Sequence, residues 1–257
     1  MSVNVRHWIR NRILRFGWDV RRVQSIEHMR RQRTHDEQIE HLRFLKSYGL
    51  RSVLDIGANT GQFAALAREV LPDPKIYSFE PLASCYAELC EQIGRMQPAE
   101  AFHFALGDEN GTAPMRRNEF TPSSSLLSMN RLHWEELPES ERSTEEMISI
   151  RRLDDVLSER VLETPLFVKI DVQGFEDRVL RGGAATIRRA VAVVLEMSAV
   201  PLYDGQPLFD DLYPLLRDWG FAYRGNIDQF RSRRDGRILQ FDALFENTNL
   251  TNKTVSL

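Results

Sequence analysis

Val53-Leu54-Asp55-Ile56-Gly57-Ala58-Asn59-Thr60-Gly61-Gln62-Phe63 is the stretch that decides the fold. An apolar run passes straight into two glycines four residues apart and then into an amphipathic segment, which reads as strand, tight turn and helix. Glycine lets the backbone turn sharply and approach a ligand with no Cβ in the way. The helix that follows offers unpaired N–H groups to an anionic group such as a carboxylate. Asp55, Gly57, Asn59 and Gly61 are therefore candidate ligand-binding residues, with Asp55 at the strand tip placed to order an ammonium directly or through water.

Outward from this turn, short β-branched runs alternate with amphipathic segments, the pattern of βαβ units and a largely parallel sheet. Strands are expected at 52–56, 75–79, 101–105, 166–171, 191–196, 221–224 and 241–246, and helices at 61–70, 83–93, 175–181 and 208–219. That is a doubly wound α/β fold with a seven-stranded sheet. Between about 108 and 153 the rhythm turns polar, with short hairpin strands expected at 112–117 and 147–151. This insertion precedes the fourth main strand, so it should overhang the carboxyl edge of the sheet, where open α/β folds place ligands.

The second strand ends in Phe79-Glu80-Pro81, which puts an acid where ribose hydroxyls arrive in nucleoside-binding folds. Glu80 and Pro81 join the candidate cofactor residues. The third ends in Ala105-Leu106-Gly107-Asp108, the position that borders an adenine, although a plain Gly-Asp turn explains Asp108 equally well. Dinucleotide enzymes use G-x-G-x-x-G, whose extra glycines admit a pyrophosphate. A single G-x-x-x-G with an acid before it suits a cofactor without one, which favours S-adenosylmethionine over a nicotinamide dinucleotide.

The chain has 257 residues with 42% apolar content and a formal net charge of -3. It is long enough for one catalytic domain with appendages. It lacks the basic excess of a nucleic-acid binder. Residues 1–33 nevertheless hold nine arginines against Asp19 and Glu27, a charge of +7 that leaves -10 for the remainder. On a helical wheel Val5, Trp8, Ile9, Ile13 and Phe16 share a face that Arg6, Arg10 and Arg15 border. Such a helix either adsorbs to an anionic membrane surface through residues 5–16 or packs on the domain or on a second subunit of a homodimer. The expected organisation is a basic helical extension over 1–48, a catalytic domain over 49–247 and a polar tail over 248–257. Cys85 and Cys90 have neither redox nor zinc spacing. No apolar run reaches the roughly 18 residues of a membrane span and no secretory signal is legible, so a cytoplasmic protein, peripheral on the inner membrane face at most, is expected.

Taken together, Asp55-Ile56-Gly57-Ala58-Asn59-Thr60-Gly61, Phe79-Glu80-Pro81, Ala105-Leu106-Gly107-Asp108, Ser123-Ser124-Ser125-Leu126, Lys169-Ile170-Asp171-Val172-Gln173-Gly174-Phe175-Glu176 and Glu196-Met197-Ser198 resemble, in this order, the FkbM-type methyltransferases. The resemblance covers roughly residues 42 to 245. It implies a class I, Rossmann-like S-adenosylmethionine fold that methylates hydroxyl oxygens, often on sugars of glycans and glycolipids or on polyketides. Gln173 departs from the family's commonest pattern, which has Glu there, and an amide cannot serve as a base.

Methyl transfer to a hydroxyl requires a group that takes the proton. Lys169, Asp171 and Glu176 lie within eight residues after the fourth strand. Asp171 at the strand tip is either the base or a helix cap. Lys169 pairs either with Asp171 or with Glu176, and Glu196 either holds the acceptor or pairs with Lys169. His103, inside a strand, and His133, in the insertion, are the alternative bases. Ser124 and Ser125 in Thr121-Pro122-Ser123-Ser124-Ser125 suit a loop that bonds a sugar or covers the cofactor, and Tyr203 suits stacking on a pyranose ring, with core packing as the plain alternative. Asp171, Glu176 and Glu196 are oxygen ligands in principle, but their spacing demands no metal and none is expected. A nicotinamide-linked sugar enzyme and a silent glycan-binding module are the competing readings.

Overall fold

The computed structural model describes residues 35–118, 121–140 and 143–251. Residues 5–16, on which the membrane and dimer expectations rest, lie outside them, as do residues 252–257. The chain divides into two units, Met1–His41 and Leu42–Leu257. In the first, residues 35–41 are helical. The second contains the sheet. It also includes a 3-10 helix, Arg43–Tyr48, whose Leu45 is buried and whose Tyr48 hydroxyl donates to Glu246 at 2.5 Å.

Seven strands form the main sheet: β1 Ser52–Ile56, β2 Lys75–Phe79, β3 Ala99–Phe102, β7 Leu166–Ile170, β8 Ala190–Ser198, β9 Phe221–Arg231 and β10 Ile238–Asn247, in the order β3-β2-β1-β7-β8-β10-β9. β1 pairs in parallel with β2 and β7, and β7 in parallel with β8. β10 runs antiparallel to both of its neighbours. The five residues of β1 are all buried, as expected of a central parallel strand covered on both faces. The helices α1 Gln62–Val70, α2 Ala83–Arg95, α5 Glu176–Gly182 and α7 Phe209–Asp218 fall within a residue or two of the expected positions. The order turns back on itself between β1 and β7, and at such a switch point the strand ends leave a crevice for ligands.

The third strand differs from its expected span. β3 stops at Phe102, which stacks on Phe79 at 4.7 Å, and Glu80 N–H donating to the Phe102 carbonyl closes that ladder. His103 is therefore outside any strand, exposed and stacked on Tyr86 at 4.4 Å. The chain then enters a second sheet, where β4 Ala105–Leu106 and β5 Gly111–Asn118 flank β6 Ser143–Arg151. Thr248–Thr251, expected in the loose tail, form a helical turn held by Thr248 to the Gly220 carbonyl.

The insertion has its own interior. In α3, Arg131–Glu136, Asn130 caps the helix by accepting from the His133 amide. His133 is 2% exposed, neither ring nitrogen has a hydrogen-bond partner, and its ring lies 4.9 Å from that of Tyr203. Burial pushes its pKa down to about 4. Glu136 joins this helix to the β9–β10 turn by accepting from the Ser232 hydroxyl and the Arg233 amide, at 2.6 and 2.8 Å.

Two predictions follow from packing. A Cβ on Gly57, whose φ is +82°, would stand 1.8 Å from the Asp171 carbonyl oxygen, whereas Gly49, at φ +59°, has nothing within 4 Å. In chemical denaturation Gly57→Ala should cost about 3 kcal/mol or more, and Gly49→Ala only about 1 kcal/mol. For His133, the ring is neutral in folded and unfolded chains above its ordinary value of 6.5. Below that the unfolded chain takes up the proton first, so stability is lost as pH falls from 6.5 towards about 4. Thermal unfolding of His133→Leu at pH 7 and pH 5 should therefore show an acid-induced loss smaller than the wild type's, by on the order of 1 kcal/mol.

Candidate active site

The glycine turn is built as a socket. Gly57 and Ala58 both donate to the Phe79 carbonyl, at 3.1 and 3.0 Å, and positive φ at Gly57, Asn59 and Gly61 bends the chain over the end of β1. Glu80 enters this bend. One carboxyl oxygen accepts from Asn59 N–H at 2.9 Å and the other from Leu82 N–H at 2.8 Å. Burial pushes its pKa up to about 7 against the pull of those two donors. Pro81 follows, half-buried. Asp55 lies beneath, fully buried, and neither of its oxygens has a hydrogen-bond partner. Burial raises its pKa to about 6, with Lys169 pulling down and Asp171 pushing up.

Beside the socket, the end of β7 carries the charged centre. Lys169 Nζ lies 2.9 Å from Asp171 Oδ2, in a recess that leaves the two side chains 12% and 30% exposed. Its ammonium sits 5.6 Å from the Phe63 ring centroid. Burial opposes its charge, but Asp171, Asp55 and Asp242 together outweigh that and raise its pKa. Asp171 is held low despite burial, because Lys169 and Gln173 favour its charged form. Glu196 is pushed far up by burial and by Asp171, Asp242 and Glu176. Asp242 is raised to about 6, again by burial first.

Two members of this cluster were not anticipated. Asp242 arrives because antiparallel β10 brings its early residues to the carboxyl edge, in register with Glu196. Gln173 lies at the centre. Its amide nitrogen donates to Asp171 Oδ1 at 2.9 Å and to Glu196 Oε2 at 2.6 Å, and its amide oxygen accepts from the Tyr203 hydroxyl at 2.8 Å.

Several expected roles change. Lys169 pairs with Asp171 and not with Glu176 or Glu196. Glu176 faces its own loop: one oxygen accepts from Gly174 N–H at 3.0 Å and more weakly from Val172 N–H at 3.4 Å, and burial pushes its pKa to about 7. Asp171 does not cap α5, whose N-cap, Phe175, makes no side-chain cap bond. Tyr203 is fully buried, so it presents no plane to a sugar. Ser124 accepts from the Asn118 amide at 2.9 Å and Ser125 donates to the Gln173 carbonyl at 2.6 Å. Both serines are buried, with their hydroxyls spent inside the protein. His133 is enclosed as described. Leu106 is core, Gly107 N–H donates to the Arg151 carbonyl at 3.0 Å, and Asp108 pairs with Arg178 and Arg181 at 3.4 and 3.2 Å. This peptide is occupied by packing against β6 and α5. Among the described residues no group of three or more His, Cys, Asp or Glu is arranged to hold a metal ion, and no helix is long and apolar enough to cross a membrane.

Comparison with known proteins identifies the scaffold. Residues 55–223 match the methyltransferase FkbM domain. The 2-O-methyltransferase NoeI of Sinorhizobium fredii (strain NBRC 101917 / NGR234) is 30% identical over 209 residues, 77% of this chain and 80% of its own length. The 31-O-demethyl-FK506 methyltransferase FkbM of Streptomyces tacrolimicus is 29% identical over 200 residues, 66% of this chain and 72% of its own. A solved precorrin-6y C5,15-methyltransferase from Geobacter metallireducens GS-15 is 11% identical, with a TM-score of 0.43 over 84% of this chain and 89% of that one. With a domain match over more than half of its length and a relative at 30% identity, this chain belongs to the FkbM family of methyltransferases.

Proposed function

We propose that this methyltransferase uses S-adenosylmethionine to methylate a hydroxyl oxygen of a sugar, in a glycan, a glycolipid or a natural product. The observation that carries the reading is the pairing of two carboxyls at adjacent strand ends. Asp55 on β1 is buried with both oxygens unpartnered, and Asp171 after β7 is held charged by Lys169 at 2.9 Å. Support for oxygen as the accepting atom comes from one relative named as a 2-O-methyltransferase and a second named for a 31-O-demethyl substrate.

The residues present fit the cofactor. An unpartnered buried carboxylate is costly unless a cation or donor meets it, and the ammonium of a methionine moiety is such a group. Each Glu80 oxygen accepts one N–H and keeps a lone pair for a ribose hydroxyl. When bound, S-adenosylmethionine would supply a methyl group on a sulfonium, an electrophile for the acceptor oxygen whose leaving group is a neutral thioether. Asp171 takes the hydroxyl proton. Its depressed basicity is no obstacle, because the proton becomes acidic as the oxygen–carbon bond forms; the carboxylate need only be charged and in place. Lys169 keeps it so.

Asp55→Asn should weaken binding of S-adenosylhomocysteine about tenfold or more without lowering thermal stability, since it removes a buried charge that has no hydrogen bond in the protein. Asp171→Asn should leave that affinity intact and reduce transfer of radiolabelled methyl to extracted envelope glycans by about 100-fold or more. Isothermal titration with the methyl donor and its demethylated product decides the cofactor, and no heat and no thermal shift with either would overturn the reading.

A further inference from the structure

We propose that Gln173 is a positioning residue: it spans Asp171 and Glu196 with one amide group and thereby holds Asp171 ready to take the acceptor's proton. The proposal rests on Asp171 being the proton acceptor. Its own support is the completeness with which Gln173 is fixed. Two amide hydrogens meet two carboxyls at 2.9 and 2.6 Å, and the amide oxygen receives the Tyr203 hydroxyl at 2.8 Å. Its carbonyl receives the Ser125 hydroxyl at 2.6 Å, and its φ of 55° is a left-handed backbone conformation that non-glycine residues adopt only when the surroundings hold it. The next residue, Gly174, is held in turn by Glu176.

Orientation follows from chemistry. Turned over, the amide would aim its oxygen at two carboxyls and lose both donors. As placed, it satisfies a lone pair on each, and the pair needs only one proton between them. The charged and titratable groups facing Asp171 are Lys169 on β7, Asp55 on β1, Glu176 on α5, Glu196 on β8, Asp242 on β10 and Tyr203 after β8. All but Lys169 are acids. Removing the amide leaves the two carboxyls with only their hydrogen bond to each other. A carboxyl at position 173 would fill the space and still lack the donors.

The test uses the full chain labelled with 13C at Asp and Glu carboxyls, the signals assigned through Asp171→Asn and Glu196→Gln. In the wild type Asp171 should titrate below the ordinary carboxylate range and Glu196 above it. In Gln173→Leu the Asp171 titration should move up by about one pH unit, while affinity for S-adenosylhomocysteine stays within about twofold and methyl transfer to the glycan extract falls about tenfold or more. Gln173→Glu should move it the same way. Tyr203→Phe, which keeps the ring and removes only the hydroxyl that orients the amide, should do so to a lesser degree and serves if Gln173→Leu does not fold. Unchanged Asp171 and Glu196 titrations in the folded variants would overturn the proposal. Failure of the wild type to bind S-adenosylhomocysteine would instead overturn the cofactor reading, and the titrations would still decide the role of Gln173.

Discussion

One ammonium group, that of Lys169, makes the centre of this molecule possible. Asp171, Asp55 and Asp242 all raise its pKa, and without it they would repel one another in a recess that excludes most water. A buried ion pair is a weak source of stability, because desolvation consumes much of the attraction. It is a strong source of geometry. The cluster therefore reads as a device that favours the charged form of Asp171 and pushes its neighbour Glu196 the other way, an arrangement in which environment separates like groups.

The backbone serves the same end. Gly57 lets the Asp171 carbonyl come closer than any side chain would allow, and Asp171 N–H donates to the Ile56 carbonyl at 3.0 Å. β1 and β7 are thus joined to their last residues, which brings Asp55, in register with Lys169, and Asp171 to the same edge of the sheet. Apolar residues such as Leu54, Ile56, Val168 and Ile170 pack beneath them, so the polar cluster rests on a rigid floor.

The local parts of this design were legible in the sequence. A G-x-x-x-G turn after an apolar strand is common topology by itself, and Glu80 at the tip of the next strand, where the alternation of elements puts it, is what makes the pair specific. Tertiary relations were not. Asp242 sits in a strand that the β-branched pattern marks, but nothing in that pattern says the strand returns antiparallel and delivers its first half to the site. Gln173 looked like the loss of a carboxylate, because the residues it bridges are two and twenty-three positions away and no local rule pairs them. Tyr203, Ser124, Ser125 and His133 have chemistry suited to a ligand and burial suited to a core. Only the packed insertion distinguishes the two.

The insertion is fastened twice across the site. Thr121 meets the Asn59 amide in the glycine turn at 3.3 Å, and four residues later Ser125 grips the Gln173 carbonyl. A segment stitched to both the glycine turn and the loop after β7 is constrained at both seams. A chimaera that imports another member's insertion keeps both seams only when the graft brings a hydroxyl to each.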